Sequence, residues 1–234
     1  MWFFDLDDTL HDASHAIFGQ IDQRMTGYVA RLLDLDHEQA GRVRLDYWRR
    51  YGATMLGLVR HHAIDPRHFL HETHDFDVPS LVRAERGLAA RLARLPGRKV
   101  LLTNAPRDYA RRVVRAVGLG RLVRSAYTIE SMRLFGQFRP KPSPSMLRIV
   151  LAREGLAGAA GRGAAILVED NLANLRAARA AGLRTVLVEG GRGDGARRLR
   201  GGAYVDVRIR SVRQLGRAAV RLGGRRRAAA GLLL

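Results

Sequence analysis

Four short apolar runs, Trp2–Asp5, Val100–Thr103, Ala165–Glu169 and Thr185–Val188, constrain the fold of this chain more than anything else in it. Each is too short for a helix and apolar at consecutive positions, the pattern of a strand buried on both faces. Helical periodicities separate the later runs: Arg107–Val117, Ser145–Glu154 and Leu172–Ala181, the last stopped by Gly182. Strands alternating with helices predict an α/β fold with a parallel sheet covered on both faces. A weaker strand over Ala203–Val207 and a short helix near Val212–Val220 complete the pattern. The tail, 223–234, carries Arg225-Arg226-Arg227 and then Ala and Leu without a core pattern, and is expected to fray.

The interval after the first run breaks the rhythm. From Ala13 to Arg83 the spacing is helical, with Ile17, Ile21, Met25, Tyr28, Val29 and Leu32 on one face and Tyr47, Tyr51, Leu58 and Phe69 continuing the apolar pattern. This is too long for an ordinary strand–helix connection. It reads as a helical subdomain, 13–83, inserted into a core made of 1–12 and 84–222. In open α/β sheets ligands bind at the carboxyl ends of the strands, which an insertion at this point could cover.

Polar residues follow the runs at those ends. The first leads into Asp5-Leu6-Asp7-Asp8-Thr9-Leu10. Asp5 and Asp7 lie on one side of an extended backbone, and like charges held this close call for a cation or a reaction that uses them. One carboxylate can attack while the other moves a proton; a solvated acidic loop is the plain alternative. After the second run come Thr103 and Asn104, where a hydroxyl and backbone N–H groups can hold phosphate oxygens or simply cap a helix. After the third come Glu169 and Asp170, suited to a hard cation such as Mg²⁺, or again to a cap. Lys141 stands in Arg139-Pro140-Lys141-Pro142-Ser143-Pro144 and is one of only two lysines, the other being Lys99. A compact ammonium retained among so many arginines marks a candidate for a small buried anion.

Composition narrows the classes. The chain carries 41 Lys+Arg against 22 Asp+Glu, a formal charge of +19, and no cysteine. Disulfides and thiolate metal sites are excluded. No run approaches the ~20 apolar residues of a membrane span. Asp5 and Asp7 arrive before any signal-peptide core could form, so a cytoplasmic location is expected. The charge invites a nucleic-acid partner. However, aromatic RNA-binding motifs, a helix-turn-helix signal and zinc-knuckle spacing are all missing. The arginines therefore read as a general preference, with long-range attraction for anionic substrates. A basic nucleic-acid-binding protein remains the non-enzyme alternative. Five histidines, His61, His62, His68, His71 and His74, crowd one segment, but Pro66 interrupts it and no full zinc ligand set forms. Substrate contact or local packing suits them better.

The order of the polar strand ends is specific. Asp-x-Asp-x-Thr, a strand ending in Thr103, an isolated Lys141 beside prolines, and a strand ending in Glu169-Asp170 together resemble the haloacid dehalogenase superfamily over nearly all of residues 1–220. The resemblance implies a Rossmann-like sheet with a helical cap inserted after the first motif. It implies Asp5 as the nucleophile that forms an aspartyl-phosphate and Asp7 as general acid/base. Thr103 and Lys141 fall at phosphate-holding positions, with Asn104 beside them. Asp5, Asp170 and the Asp7 main-chain carbonyl would hold Mg²⁺, with Glu169 acting through water. Dehalogenases of the superfamily lack the residue equivalent to Asp7, so the resemblance implies phosphate-ester hydrolysis.

The insertion is similar to the cap of the pyrimidine 5′-nucleotidase branch, through Phe18, Arg24-Met25, Tyr28-Val29, Tyr51-Gly52-Ala53-Thr54, Gly57-Leu58, His62, Asp65, Phe69 and His74-Asp75. That similarity implies a nucleoside monophosphate as the small phosphorylated substrate, with Tyr51, Thr54, His62 and His74 as candidate contacts. The branch's tyrosine after Thr-Leu is His11 here, and its second threonine after Tyr-Gly is Ala53. Phosphoglycolate and sugar phosphates therefore stay open as alternatives.

Overall fold

The computed structural model describes residues 1–190 and 202–230. By internal contacts the chain divides into two compact units, one made of Met1–Asp12 together with the chain from Arg83 onward, the other of Ala13–Val82.

The first unit is built on a six-stranded sheet. Its strands are β1 (Trp2–Phe4), β2 (Lys99–Leu102), β3 (Val123–Tyr127), β6 (Ile166–Glu169), β7 (Arg184–Val188) and β8 (Val207–Ile209), in the order β3-β2-β1-β6-β7-β8. Every pairing is parallel. Between β3 and β6 the chain adds an antiparallel ribbon, β4 (Arg133–Leu134) and β5 (Gln137–Phe138). This is an α/β fold of the Rossmann-like kind. β1 is central: Phe3 aligns with Val100 on one side and Leu167 on the other. The strand order reverses there, and the crevice at such a reversal is where α/β sheets bind ligands.

The apolar runs explain the sheet. All three residues of β1 are buried. Trp2 and Phe4, two apart and hence on one face, stack at 6.1 Å. Phe3 points the other way into a core shared with Val100, Leu102, Leu147, Val150 and Leu167.

One strand is absent from the sequence reading, and one expectation needs correction. β3 lacks an apolar run because it is an edge strand whose side chains alternate between half-buried and exposed. The last strand is not Ala203–Val207 but Val207–Ile209. The residues before it form a turn, in which the Asp206 carboxylate accepts the Thr185 N–H at 2.9 Å and the Thr185 hydroxyl donates to the Tyr204 carbonyl at 2.6 Å. The helix Leu215–Ala230 extends past Gly223 into the basic tail. Residues 231–234 lie outside the described residues. No helix among the described residues is long and apolar enough to cross a membrane.

The second unit is helical, with helices Ile17–Leu33, His37–Tyr51, Thr54–His62 and Pro66–His74 and a short turn of helix at Val78–Leu81. Asp36 and Gln39 close the start of His37–Tyr51 with a reciprocal capping box. The chain enters and leaves this unit at one place, because the Asp12 N–H bonds the Arg83 carbonyl at 2.8 Å.

Gly57 marks a close approach inside the second unit. A Cβ there would collide with Tyr47 Cγ, near the root of that ring. Helix propensity favours alanine over glycine by ~1 kcal/mol, but overpacking of this kind costs about 1–3 kcal/mol. Gly57→Ala is therefore expected to lower the midpoint of a thermal melt followed by circular dichroism, and an unchanged or raised midpoint would contradict the close packing.

Candidate active site

The carboxyl edge of the sheet gathers the polar strand ends. Asp5 follows β1 directly, and its N–H still bonds the Val168 carbonyl of β6 at 3.0 Å. Glu169 closes β6, and Asp170 and Asn171 come next. Lys141 enters from the loop ahead of helix Pro144–Arg153. Its Nζ donates to Asp5 Oδ1 at 2.7 Å and to Glu169 Oε2 at 2.6 Å. All three are buried: Asp5 is 8% exposed, Lys141 4% and Glu169 0%.

The Lys141 backbone is held as firmly as its side chain. The Asn104 amide donates to the Lys141 carbonyl at 2.9 Å and accepts the Lys141 N–H at 2.9 Å. The side chain of Asn104 thus serves the lysine loop, which leaves its main chain for any phosphate. Thr103 is buried, and its Oγ1 accepts the Ala105 N–H at 3.1 Å. Its hydroxyl proton makes no donor bond among the described residues and can serve an oxyanion. The first N–H of the next helix, at Arg107, is already taken by Glu130, at 2.8 and 3.1 Å.

The capping alternative for Glu169-Asp170 is answered by their neighbour. Asn171 caps helix Leu172–Ala180, accepting from the N–H groups of Ala173 and Asn174. Oxygens of Asp5, Glu169 and Asp170 lie within 4.8 Å of one another. Three carboxylates face a single ammonium, so full ionisation would leave two negative charges uncompensated. Burial raises Asp5 well above the usual carboxylate range, and Glu169 adds to this. Burial pushes Asp170 up to about 6, with the Asp5 charge contributing. Burial alone would lower Lys141, but Asp5 and Glu169 outweigh it and hold the ammonium charged. Hard oxygen donors around a deficit of two charges fit a divalent cation such as Mg²⁺. Glu169 is fully buried, with Oε2 on Lys141 and Oε1 accepting the Asn171 N–H at 3.1 Å, while Asp170 is partly exposed.

Asp7 has partners of its own. Its Oδ1 accepts the Tyr109 hydroxyl at 2.6 Å and His11 Nε2 at 2.8 Å. The Tyr109 phenol is pushed far up by burial and by the Asp7 charge, and stays a donor.

The sequence model of the haloacid dehalogenase-like hydrolases matches residues 2–182. The chain belongs to this family. The curated relative "Phosphate metabolism protein 8" of Saccharomyces cerevisiae is 25% identical over 197 residues, 80% of this chain and 60% of that protein. The chain thus spans about 60% of the length of that relative. Among solved structures, a phosphatase of the family from Thermococcus onnurineus superposes with a TM-score of 0.64 at 19% identity, covering 93% of this chain and 96% of that one. The L-2-haloacid dehalogenase of Xanthobacter autotrophicus superposes at 0.54 with 18% identity, covering 92% and 96%. Phosphatase and dehalogenase alike share this haloacid dehalogenase-like fold, so the fold does not choose between the two reactions.

The four candidates of the second unit have partners within it. Tyr51 pairs with His61, hydroxyl to Nε2 at 2.6 Å, and His62 pairs with Tyr47 at 2.7 Å. Thr54 donates to the Arg44 carbonyl at 3.1 Å. His74 is buried with Nδ1 at 3.0 Å from the Leu70 carbonyl. Among the described residues the cluster of metal-type ligands is Asp5, Glu169 and Asp170, not the histidines. Tyr109 was missed by sequence reasoning. It stands as one aromatic in an arginine-rich helix, with nothing in the sequence to tie it to a carboxylate 102 residues away.

Proposed function

We propose that this haloacid dehalogenase-like hydrolase cleaves phosphate monoesters with Mg²⁺, through an aspartyl-phosphate on Asp5. The observation that carries the reading is the buried Lys141 ammonium shared by Asp5 and Glu169 beside Asp170. It holds an anionic nucleophile in place and leaves a divalent deficit. Mg²⁺ would be held by Asp5, Asp170 and the Asp7 main-chain carbonyl, with Glu169 through water, and would neutralise charge on the phosphoryl oxygens.

The chain's own residues do the rest. Thr103, the Asn104 main chain and Lys141 hold the phosphoryl oxygens. Asp5 attacks phosphorus, the bond to the ester oxygen breaks, and Asp7 gives its proton to the departing alkoxide. Water then attacks the acyl phosphate while Asp7 takes its proton, which releases phosphate and restores Asp5. The presence of Asp7 favours phosphate esters over haloacids, because a halide leaves without a proton.

The pyrimidine 5′-nucleotidase-like pattern of 13–83 supports a nucleoside monophosphate as substrate, with those residues as the unit that selects it. Phosphoglycolate and sugar phosphates are the alternative, favoured by the departures at His11 and Ala53. A phosphate-release screen with Mg²⁺ decides. UMP or CMP is expected to give the highest kcat/KM, with loss of activity in chelator. A sugar phosphate or phosphoglycolate turned over ~10-fold better would displace the nucleotidase assignment, and release from no ester would reject the phosphatase.

A further inference from the structure

The grip on Asp7 is lopsided. Both of its donors, the Tyr109 hydroxyl and His11 Nε2, fall on Oδ1, and among the described residues no group hydrogen-bonds Oδ2. Tyr109 is fully buried on helix Arg107–Ala116 and reaches Asp7 from across the unit. His11 arrives by a local route. Asp8 takes a left-handed backbone, φ 55°, and the Leu10 N–H bonds the Leu6 carbonyl at 2.8 Å. The chain therefore doubles back, and Asp7 pairs with His11 as an isolated bridge.

The histidine ring keeps this contact at a cost. Because a carboxylate only accepts, Nε2 carries the proton. Nδ1 is then a buried acceptor, and it has no hydrogen-bond partner. A buried polar atom left unpaired is unfavourable. An apolar ring would avoid that penalty, so the sequence holds a strained arrangement whose gain is the bond to Asp7. Such an imbalance marks a functional constraint.

We propose that Tyr109 and His11 are positioning residues that lock Asp7 through Oδ1 and leave Oδ2 as the oxygen that transfers the proton. This rests on the phosphomonoesterase reading above. Two donors on one oxygen fix both the rotamer and the tilt of the carboxylate, so that Oδ2 faces the leaving group without reorganising in each turnover.

The test compares two esters. p-Nitrophenyl phosphate has a leaving group stable without a proton, whereas a nucleoside monophosphate expels an alkoxide that needs one. Tyr109→Phe is expected to lose about tenfold or more in kcat/KM on the nucleoside monophosphate, part of the ~10²–10⁴-fold that a positioned acid supplies. On p-nitrophenyl phosphate the expected loss is under about threefold. His11→Phe should behave alike, and His11→Gln, which keeps an N–H donor, should recover most of the loss. Equal losses on both esters, or none on either, would overturn the clamp. Wild type inert on both would overturn the phosphatase and the clamp with it. Thermal melts accompany each variant, and the two sites report independently, so a folding defect at one leaves the other to decide.

Discussion

On the proposed phosphatase mechanism, Asp5→Asn is expected to remove turnover of every phosphate ester, by about 10⁴-fold or more, while the protein stays folded. The magnitude is that expected for deleting a covalent nucleophile. Asparagine keeps the shape of the side chain and can still accept from Lys141, but its amide oxygen does not attack phosphorus. The stability side of the prediction is equally specific. Asp5 is buried, and Glu169 and Asp170 crowd it while Lys141 offsets only one charge. Neutralising Asp5 relieves part of that excess, so the melting temperature without metal should hold or rise. Steady-state kinetics and a thermal melt on the same preparation check both halves. Residual turnover above a tenth of wild type would transfer the nucleophile's role elsewhere, and a collapsed melt would make the lost activity uninformative.

Lys141→Met works in the opposite sense. The substitution leaves Asp5 and Glu169 buried without their shared cation. Breaking a buried pair from one side costs about 3–5 kcal/mol. At roughly 2–4 °C per kcal/mol for a chain of this size, the melt should fall by about 10 °C. Activity should be lost as well, since nothing then holds Asp5 against an anionic substrate. Adding Glu169→Gln should return part of the stability and none of the activity, because the two residues couple through one contact. A Lys141→Met protein that melts with wild type would show that the ammonium does not hold the cluster together. Arginine is no substitute, since its planar fork is bulkier than the compact ammonium it would replace.

These residues differ in how far the sequence exposes them. β1, β2, β6 and β7 are legible because strands buried on both faces read as unbroken apolar runs, and the polar residues at their ends follow by position. β3 is not, since Val123-Arg124-Ser125-Ala126-Tyr127 borders the sheet and half its side chains meet solvent. Lys141 stands out by its rarity, but its geometry depends on Asn104, and no local pattern ties an amide to a backbone 37 residues on. Tyr109 is harder still, because its helix is read by its arginines. His11 shows only as a departure from a familiar pattern, and its meaning appears once the turn at Asp8 returns it to Asp7.

The bond from the Asp12 N–H to the Arg83 carbonyl ties the chain into a closed neck. Residues 13–82 form a compact unit of their own, inserted in the sequence between β1 and β2. What is inserted there can lengthen, shorten or be exchanged while the register of Phe3 against Val100 and Leu167 stays as it is. Heredity can therefore graft new branches onto an unchanged trunk, and so can an engineer who joins Asp12 to Arg83 with a short turn.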